Sequence, residues 1–324
     1  MDTLHRFVGI DVSKGVLEVK VLEGGASRFA NDSDGIQQLL SWLGFECGDS
    51  PWHCGVEATS RYHVEVCDLL EAAGGTVNCF NPYQARSLAI GLGYFAKTDR
   101  VDARVLAELA RLVRRPYVSR SAVGRALRDL SRQIQYLTDQ RSCLMRRASL
   151  PSRCLQASES DQRLIACLSL EVKLLEKQWL SLLRGSALHS ERYELLLSVP
   201  RIGVKTARVI TSELPENLSE FSAKEVAAYF GLVPYDFQSG QHNGRGTIGH
   251  RGNAHLRKSL FCPATLAMYL VPEFVVLSRN LEMRGKHHLQ IVTAIMHKLA
   301  RRAIAVLLRG TPWQKEAPLS RCRT

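Results

Sequence analysis

The sequence predicts an α/β domain at the N-terminus, then a helical hairpin, and then a mostly α-helical C-terminal domain. Three observations predict this fold class. Short β-patterned runs alternate with amphipathic stretches in the first third of the chain. Two segments with heptad spacing of apolar residues follow, and the remainder joins apolar helical segments through Gly-rich connections. We therefore divide the 324 residues into segments 1–118, 119–188 and 189–324.

Five segments of the N-terminal domain have the alternation or the apolar run that is typical of a β-strand. They are residues 6–12, 16–21, 26–30, 52–58 and 76–80. Ser33 can cap a helix between the third and fourth strands, and Gly74-Gly75 ends a helix between the fourth and fifth. Three strands, a helix, and then strand, helix and strand is the order of an RNase H-like domain.

The chain after the fifth strand is predicted to be irregular from Tyr83 to Lys97. Thr98 and Asp99 can then cap a long helix, which Pro116 ends because proline cannot continue a helix.

Segments 123–144 and 165–182 carry apolar residues at alternating spacings of three and four, and Pro151 lies between them. They predict two helices joined by a turn, as a helical hairpin or a coiled coil that can also dimerise. Two amphipathic helices packed on a globular core are the alternative, because the pattern is short for a coiled coil.

Charge is divided unevenly along the chain. The sequence holds 43 Lys and Arg against 31 Asp and Glu, a net charge of +12. Residues 1–98 contain 7 basic and 12 acidic residues, a net charge of −5, whereas residues 99–324 contain 36 and 19, a net charge of +17. A basic excess of this size favours a polyanionic partner, nucleic acid before a membrane surface.

Membrane, secreted and zinc proteins are disfavoured. No apolar run approaches the roughly 18 residues of a membrane span, and the first residues lack the pattern of a signal peptide. The nine cysteines are scattered without a Cys-x-x-Cys pair. We therefore expect reduced thiols in a cytoplasmic protein rather than disulfides or a structural zinc site.

Four acidic residues are candidate metal ligands: Asp11, Glu57, Asp99 and Asp102. In an RNase H-like order, the first of them lies on the central strand and the second at the end of the fourth strand. Asp99 and Asp102 are three residues apart at a helix start, so both can face one side. Clustered carboxylates suit Mg²⁺, and two such ions can hold the attacking and leaving oxygens of a phosphoryl transfer. Surface acids and a simple helix cap are the alternative interpretation.

The Gly-rich segment 239–252 is poor in acidic residues and predicts a phosphate-binding loop. Ser239 could attack phosphorus and form a protein–DNA ester, which would allow rejoining without ATP. It would need a base or a metal from elsewhere, because an unactivated serine is a poor nucleophile. The alternative is a phosphate-binding loop in which the serine is incidental.

The turn from Val199 to Ala207 resembles a helix-hairpin-helix, a motif whose amides contact a DNA phosphate. The usual motif has Gly at the position of Arg201. The turn is therefore either a phosphate contact made partly by the arginine or a purely structural connection.

Together, these residues resemble the insertion-sequence 110 family of transposases, recombinases with a RuvC-like domain and an Asp-Glu-Asp-Asp set. The resemblance covers nearly the whole chain. It is carried by Gly9–Lys14, Val56–Thr59, Lys97–Ala103, Ser239-Gly240 and Gly249–Arg257.

The resemblance implies a DNA transposase that exchanges strands with Mg²⁺ as cofactor, the four acids holding the metal and Ser239 becoming linked to DNA. It implies double-stranded donor and target DNA, a structured non-coding guide RNA, no membrane partner, and dimers that assemble into tetramers with active sites shared between subunits. We expect nucleic-acid contacts from residues in or near the motifs: Lys14, Lys97, Arg100, Arg104, Arg201, Lys205, Arg245, Arg251, Asn253, Arg257 and Lys258.

Two other functions are compatible with the sequence. A RuvC-like nuclease would hydrolyse DNA junctions with metal-bound water, and Ser239 would be structural. A non-catalytic nucleic-acid-binding protein would use the acidic residues only for its fold.

Overall fold

The chain forms two compact units, Met1–Ser119 and Arg120–Thr324, which we term unit 1 and unit 2. A computed structural model describes most of both units. The described residues are 5–58, 62–96, 98–114, 117, 119–150, 154–218, 223–235, 238–239, 242–243, 247–248 and 252–314.

Unit 1 contains a mixed five-stranded sheet, and all five predicted strands are present. They are β1 (Arg6–Val12), β2 (Val16–Val21), β3 (Ala26–Ala30), β4 (Trp52–Glu57) and β5 (Thr76–Phe80). The order across the sheet is β3-β2-β1-β4-β5. Strands β1, β2 and β3 pair antiparallel, whereas β1 with β4 and β4 with β5 pair parallel. The first strand therefore lies in the centre of the sheet, as predicted.

Helices α1 (Ser33–Cys47), α2 (His63–Ala72), α3 (Pro82–Gly91) and α4 (Asp99–Leu112) complete unit 1. The cap of α1 is Asp32 rather than Ser33, because the Asp32 carboxylate accepts a hydrogen bond from the amide of Gly35 at 2.8 Å. Apolar side chains of the strands and of α1 and α2 form a continuous buried core.

Helix α3 shows that the prediction of an irregular stretch from Tyr83 to Lys97 was wrong for residues 83–91. The Asn81 side chain caps this helix by accepting from the amide of Tyr83 at 2.8 Å, and the Asn81 amide donates to the Gln84 side-chain oxygen at 3.4 Å. Pro82 occupies the first helical position, where a missing N–H costs nothing. Two local capping signals thus start a helix whose apolar pattern is weak.

The described residues of unit 2 are mainly helical and form one hydrophobic core. Its long helices α5 (Ala122–Ala148) and α6 (Leu155–Arg184) pack against each other. The other helices are α7 (Ala187–Leu197), α8 (Val204–Glu213), α9 (Ala223–Tyr229), α10 (Ala254–Leu270), α11 (Pro272–Met283) and α12 (His288–Arg309). Buried residues of α5 and α6 belong to the same core as those of α8, α10 and α12.

The packing of α5 and α6 agrees with the alternative interpretation of two amphipathic helices on a core. Leu127, Ile134, Val172 and Trp179 are buried at predicted positions. At the end of α6 the predicted core residue Leu182 is 37% exposed. The next residue, Leu183, lies outside the predicted heptad pattern and is only 4% exposed. A straight helix drifts from a strict seven-residue repeat by about 20° per heptad, and this drift accounts for the shift.

Two findings concern membranes and cysteines. Within the described part of the chain, no single helix is long and apolar enough to span a membrane. Helices α10 and α11 pass the length and composition test only as a pair, and this pair is bent by 91°. The cysteines among the described residues are free thiols.

Candidate active site and nucleic-acid groove

The first two candidate acids lie side by side at the ends of neighbouring strands. Strands β1 and β4 run parallel, and Ile10 pairs with Val56. Asp11 is the next residue after Ile10, and Glu57 is the next residue after Val56. The two acids are therefore neighbours, and both are half-buried. The parallel register therefore brings two carboxylates to the same edge of the sheet.

Helix α4 lies directly on β1 and β4 because both strands carry glycine at the crossing. A Cβ atom on Gly9 would lie 1.8 Å from the carbonyl oxygen of Ala103, and one on Gly55 would lie 2.1 Å from that of Leu106. Any side chain at either position would overlap the helix backbone. Residues two apart on a strand share a face, so Asp11 and Glu57 lie on the side of the sheet that α4 covers.

The other two candidate acids lie in the first turn of α4. The Thr98 hydroxyl accepts from the amide of Val101 at 3.4 Å and starts the helix there, as predicted. Asp102 directly precedes Ala103, the residue whose carbonyl contacts β1, and is half-buried. Asp99 lies one turn earlier with a side chain that is 71% exposed. The helix start is thus placed beside the strand that carries Asp11.

All four candidate donors are carboxylates, which is the ligand chemistry of a hard divalent cation. Among the described residues, no three His, Cys, Asp or Glu side chains form a group that could hold a metal ion as they stand. The backbone therefore places the four acids on neighbouring elements, and the carboxylates themselves are not gathered.

Cys79 lies on β5 beside β4, but it does not share a face with Glu57. Cys79 pairs with Val56 across β4 and β5. Burial raises the pKa of Cys79 to about 11, and the Glu57 carboxylate adds to this effect. Because Val56 and Glu57 point to opposite faces of β4, Cys79 lies on the face opposite Glu57.

A row of charged residues across three strands was missed by sequence reasoning. Asp11 pairs with Glu18 on β2, and Glu18 pairs with Arg28 on β3. The Arg28 guanidinium donates to the Glu18 carboxylate at 2.7 Å and lies 4.0 Å from the Asp99 carboxylate. This hydrogen bond, followed by the Glu18 charge, raises the pKa of Arg28. Strand register would have been needed to find the row, because the residues are distant in sequence.

The segment with the candidate serine forms two short, nested antiparallel ladders. Strand β6 (Pro234–Tyr235) pairs with β9 (Thr247–Ile248), and β7 (Gln238–Ser239) pairs with β8 (His242–Asn243). Ser239 is the register partner of His242. The predicted contacts Lys97, Arg245 and Arg251 lie outside the described residues.

The turn before α8 has a glycine-like backbone conformation at Arg201. Arg201 has a φ of +73°, in the left-handed region that favours glycine. Arg201 and Lys205 are both exposed, and Gly203 occupies the N-cap position of α8. The arginine thus adopts a conformation that favours glycine, with its side chain exposed.

Unit 2 also contains a groove of about 1730 Å³ with a strongly basic lining. Three predicted contacts line it: Lys205, Arg257 and Lys258. Glu176 is the one acidic residue among its described lining residues. The other basic residues of the lining are Arg141, Lys173, Arg208, Lys286, Lys298 and Arg301. Because Phe261, Leu289 and other apolar side chains share the lining, the groove offers both charge and apolar surface.

Three further predicted contacts lie on the surface of unit 1. Lys14 is exposed between β1 and β2, and Arg100 is exposed in the first turn of α4. Arg104 is also exposed, and its guanidinium lies 5.7 Å from the ring centroid of Tyr94. These side chains are accessible to a nucleic acid near the candidate acids.

Family models and curated relatives match both units. A model of IS110 transposases with the DEDD set matches residues 8–149, and one described as transposase IS116/IS110/IS902 family matches residues 193–274. The pilin gene-inverting proteins of Moraxella bovis and Moraxella lacunata are each 27% identical to this chain over 316 residues, 95% of this chain and 98% of each relative. The transposase for insertion sequence element IS1328 of Yersinia enterocolitica is 28% identical over 140 residues, 41% of each chain.

Proposed function

The chain belongs to the IS110 family of transposases and is a DNA recombinase enzyme, and we propose that it exchanges DNA strands through a covalent serine–DNA intermediate. Its family implies a DNA substrate and a divalent metal requirement. The observation that carries the proposal is the placement of Asp11, Glu57 and the start of α4 at one edge of the sheet.

We assign the metal to Mg²⁺ and its ligands to Asp11, Glu57, Asp99 and Asp102. The sheet order β3-β2-β1-β4-β5 supports an RNase H-like, RuvC-like domain for unit 1. When bound, Mg²⁺ would neutralise charge on a scissile phosphate and on the oxygens that enter and leave it. The four side chains would bind and orient the ion.

Ser239 is the proposed nucleophile. A bond forms between its Oγ atom and phosphorus while the bond from phosphorus to the oxygen of the departing strand breaks. The hydroxyl loses its proton, and the departing oxygen gains one. The ester retains the energy of the phosphodiester, so the reverse reaction with a new strand end rejoins DNA without ATP.

A guide RNA and DNA are the proposed occupants of the basic surfaces. The groove of unit 2 carries Lys205, Arg257 and Lys258 with other cations, and such a lining suits phosphates. Selection of donor and target sequences is assigned to base pairing with a structured non-coding RNA. Affinity should therefore fall steeply with salt, because each neutralised phosphate releases counterions.

Dimers that assemble into tetramers are the proposed active form, with the acids of one subunit and Ser239 of another acting on one phosphodiester. A mixture of the Asp11→Asn and Ser239→Ala variants tests this arrangement. One shared site in the mixed assembly retains all its groups, so activity should return on mixing. No recovery in a mixture shown to exchange subunits would contradict the shared site.

The reaction itself is tested by trapping the intermediate. The protein is incubated with Mg²⁺, matched DNA and RNA transcribed from the DNA flanking its gene, and is then denatured and run on a gel. A DNA-linked protein band that is lost in Ser239→Ala, with the fold intact, supports recombination. Cleaved DNA without a linked band would favour a nuclease, and no cleavage would favour a non-catalytic binding protein.

A further inference from the structure

The carboxylate of Glu213 is buried at the end of α8, where the residue is 1% exposed. Arg132 of α5 donates to it twice, from Nε at 2.7 Å and from Nη2 at 2.9 Å. Asn253 donates to the same carboxylate from Nδ2 at 2.7 Å. A buried carboxylate is costly unless it is paired and hydrogen-bonded. The two bonds from Arg132 and the bond from Asn253 meet this requirement.

Asn253 joins three elements at once. Its Oδ1 atom accepts from the amides of His255 at 2.9 Å and Leu256 at 3.2 Å and so caps α10. Its backbone N–H donates to the carbonyl of Tyr229, at the end of α9, at 2.7 Å. Together with the Nδ2 hydrogen bond to Glu213, these contacts let Asn253 link the C-terminal ends of α8 and α9 to the N-terminus of α10.

The same point is the base of the segment that carries Ser239. A Cβ atom on Gly252 would lie 2.4 Å from the Cα atom of Gly231, so the backbone that leaves for this segment touches the backbone that returns. Both glycines have positive φ, +66° and +80°. Arg257 donates to the carbonyl of Gly231 at 3.3 Å, and the Tyr229 hydroxyl donates to that of Glu213 at 2.9 Å.

We propose that Glu213, Arg132 and Asn253 form an anchor that positions the Ser239 segment, residues 232–251, for strand exchange. This inference rests on the proposed role of Ser239. A nucleophile carried between two fixed backbone ends moves with any tilt of those ends, and a displacement of about 1 Å can cost about 100-fold in rate. Hydrogen bonds to charge are directional, so they fix the tilt more strictly than apolar contacts would.

The anchor also assigns Asn253 a role other than the nucleic-acid contact predicted from sequence. Its Nδ2 group donates to a carboxylate, and a phosphate beside that carboxylate would be repelled. Burial by itself would raise the pKa of Glu213, but the hydrogen bonds and charge of Arg132 and the bond from Asn253 outweigh it and lower this pKa. The carboxylate is therefore ionised at neutral pH and retains both donors.

The test variant is Asn253→Ser, because serine is as good an N-cap as asparagine but cannot donate to Glu213 in the same way. We expect the rate of Ser239–DNA adduct formation at saturating DNA to fall by about tenfold or more. The Kd for DNA should be unchanged. Trypsin should also cleave faster after Arg245 and Arg251, with no change in cleavage elsewhere, and this readout does not depend on activity.

Asp161→Asn is the matched control. It removes the ion pair between Asp161 and Arg147, which links α6 to α5 and involves no residue of the anchor or of the groove. Its adduct rate and trypsin pattern should match those of the wild type. Glu213→Gln provides a second variant at the anchor. The double variant with Asn253→Ser should form the adduct no more slowly than the slower single variant, because both substitutions act on the same hydrogen bond.

Three outcomes separate the possibilities. A folded Asn253→Ser protein with the wild-type adduct rate and trypsin pattern would overturn the anchor. A higher Kd with an unchanged rate at saturation would also overturn it and would make Asn253 a nucleic-acid contact. If the adduct persists in Ser239→Ala, the proposed function fails instead, and the trypsin experiment still decides whether the segment is anchored.

Discussion

Unit 1 and unit 2 position their candidate functional groups by opposite means. In unit 1 the position depends on side chains that are missing, because Gly9 and Gly55 let α4 lie on the backbone of β1 and β4. In unit 2 the position depends on one charged and buried side chain, because Arg132 and Asn253 hold the Glu213 carboxylate at the base of the Ser239 segment. The first arrangement should be sensitive to added volume, and the second to lost charge.

The largest expected effect separates chemistry from folding in unit 1. Asp11→Asn removes a charge from the proposed metal site and keeps the volume of the side chain. Several kcal/mol of transition-state stabilisation would be lost, so strand transfer should fall by about a thousandfold or more. Asp49→Asn, at an exposed acid of the same unit, is the control. Full activity of the Asp11 variant in a strand-transfer assay would remove Asp11 from the site.

Added volume at the α4 crossing should destabilise unit 1. Gly9→Ala places a methyl group against the carbonyl oxygen of Ala103, and overpacking of this kind costs about 3 kcal/mol. Gly44→Ala is the matched control, because its Cβ atom meets nothing within 4 Å in an exposed turn of α1. The control should gain about 0.5–1 kcal/mol, as helical Gly-to-Ala changes do. Equal free energies of unfolding for the two variants, measured in urea, would refute the close approach.

Lost charge should destabilise unit 2 by a smaller amount. Arg132→Met leaves Glu213 buried with a weaker set of donors. Removal of one partner from a buried pair costs about 3–5 kcal/mol, and we expect about 2 kcal/mol here because the Arg132 side chain is 37% exposed. Arg163→Met removes an exposed ion pair of α6 and should change stability by less than about 1 kcal/mol. If both variants have the same urea midpoint, Glu213 does not depend on Arg132.

The smallest effect concerns pH. Burial lowers the pKa of His189, His255 and His297 in unit 2 below the ordinary value of 6.5, and does the same for His53 in unit 1. Below pH 6.5 the unfolded chain then binds more protons than the folded chain, so stability is lost as the pH falls. Hydrogen exchange at pH 7.5 and pH 5.5 should show a larger loss in unit 2. An equal loss in both units would contradict this difference.

Local patterns in the sequence were sufficient for much of unit 1. Alternation predicted the five strands, and the Thr98 cap predicted the start of α4. The same reasoning missed α3, because its apolar pattern is weak and its signal lies in the pairing of Asn81 with Gln84.

Features that depend on packing between distant residues could not be predicted. The reason for glycine at Gly9 appears only when Ala103, far along the chain, lies against it. The Arg28–Glu18 pair requires the strand register, and the bond from Asn253 to Glu213 joins residues 40 positions apart. Sequence motifs located the candidate acids and serine, but the means of positioning them became visible only in the fold.

The account rests most directly on the bond between Ser239 and DNA and on its dependence on the acids of unit 1. Trypsin digestion of the trapped reaction followed by mass spectrometry measures both. We predict a nucleotide-linked peptide that contains Ser239 in the wild-type protein and is absent in Asp11→Asn. Cleaved DNA without a linked peptide, or a linked Ser239 peptide that persists in Asp11→Asn, would contradict the account.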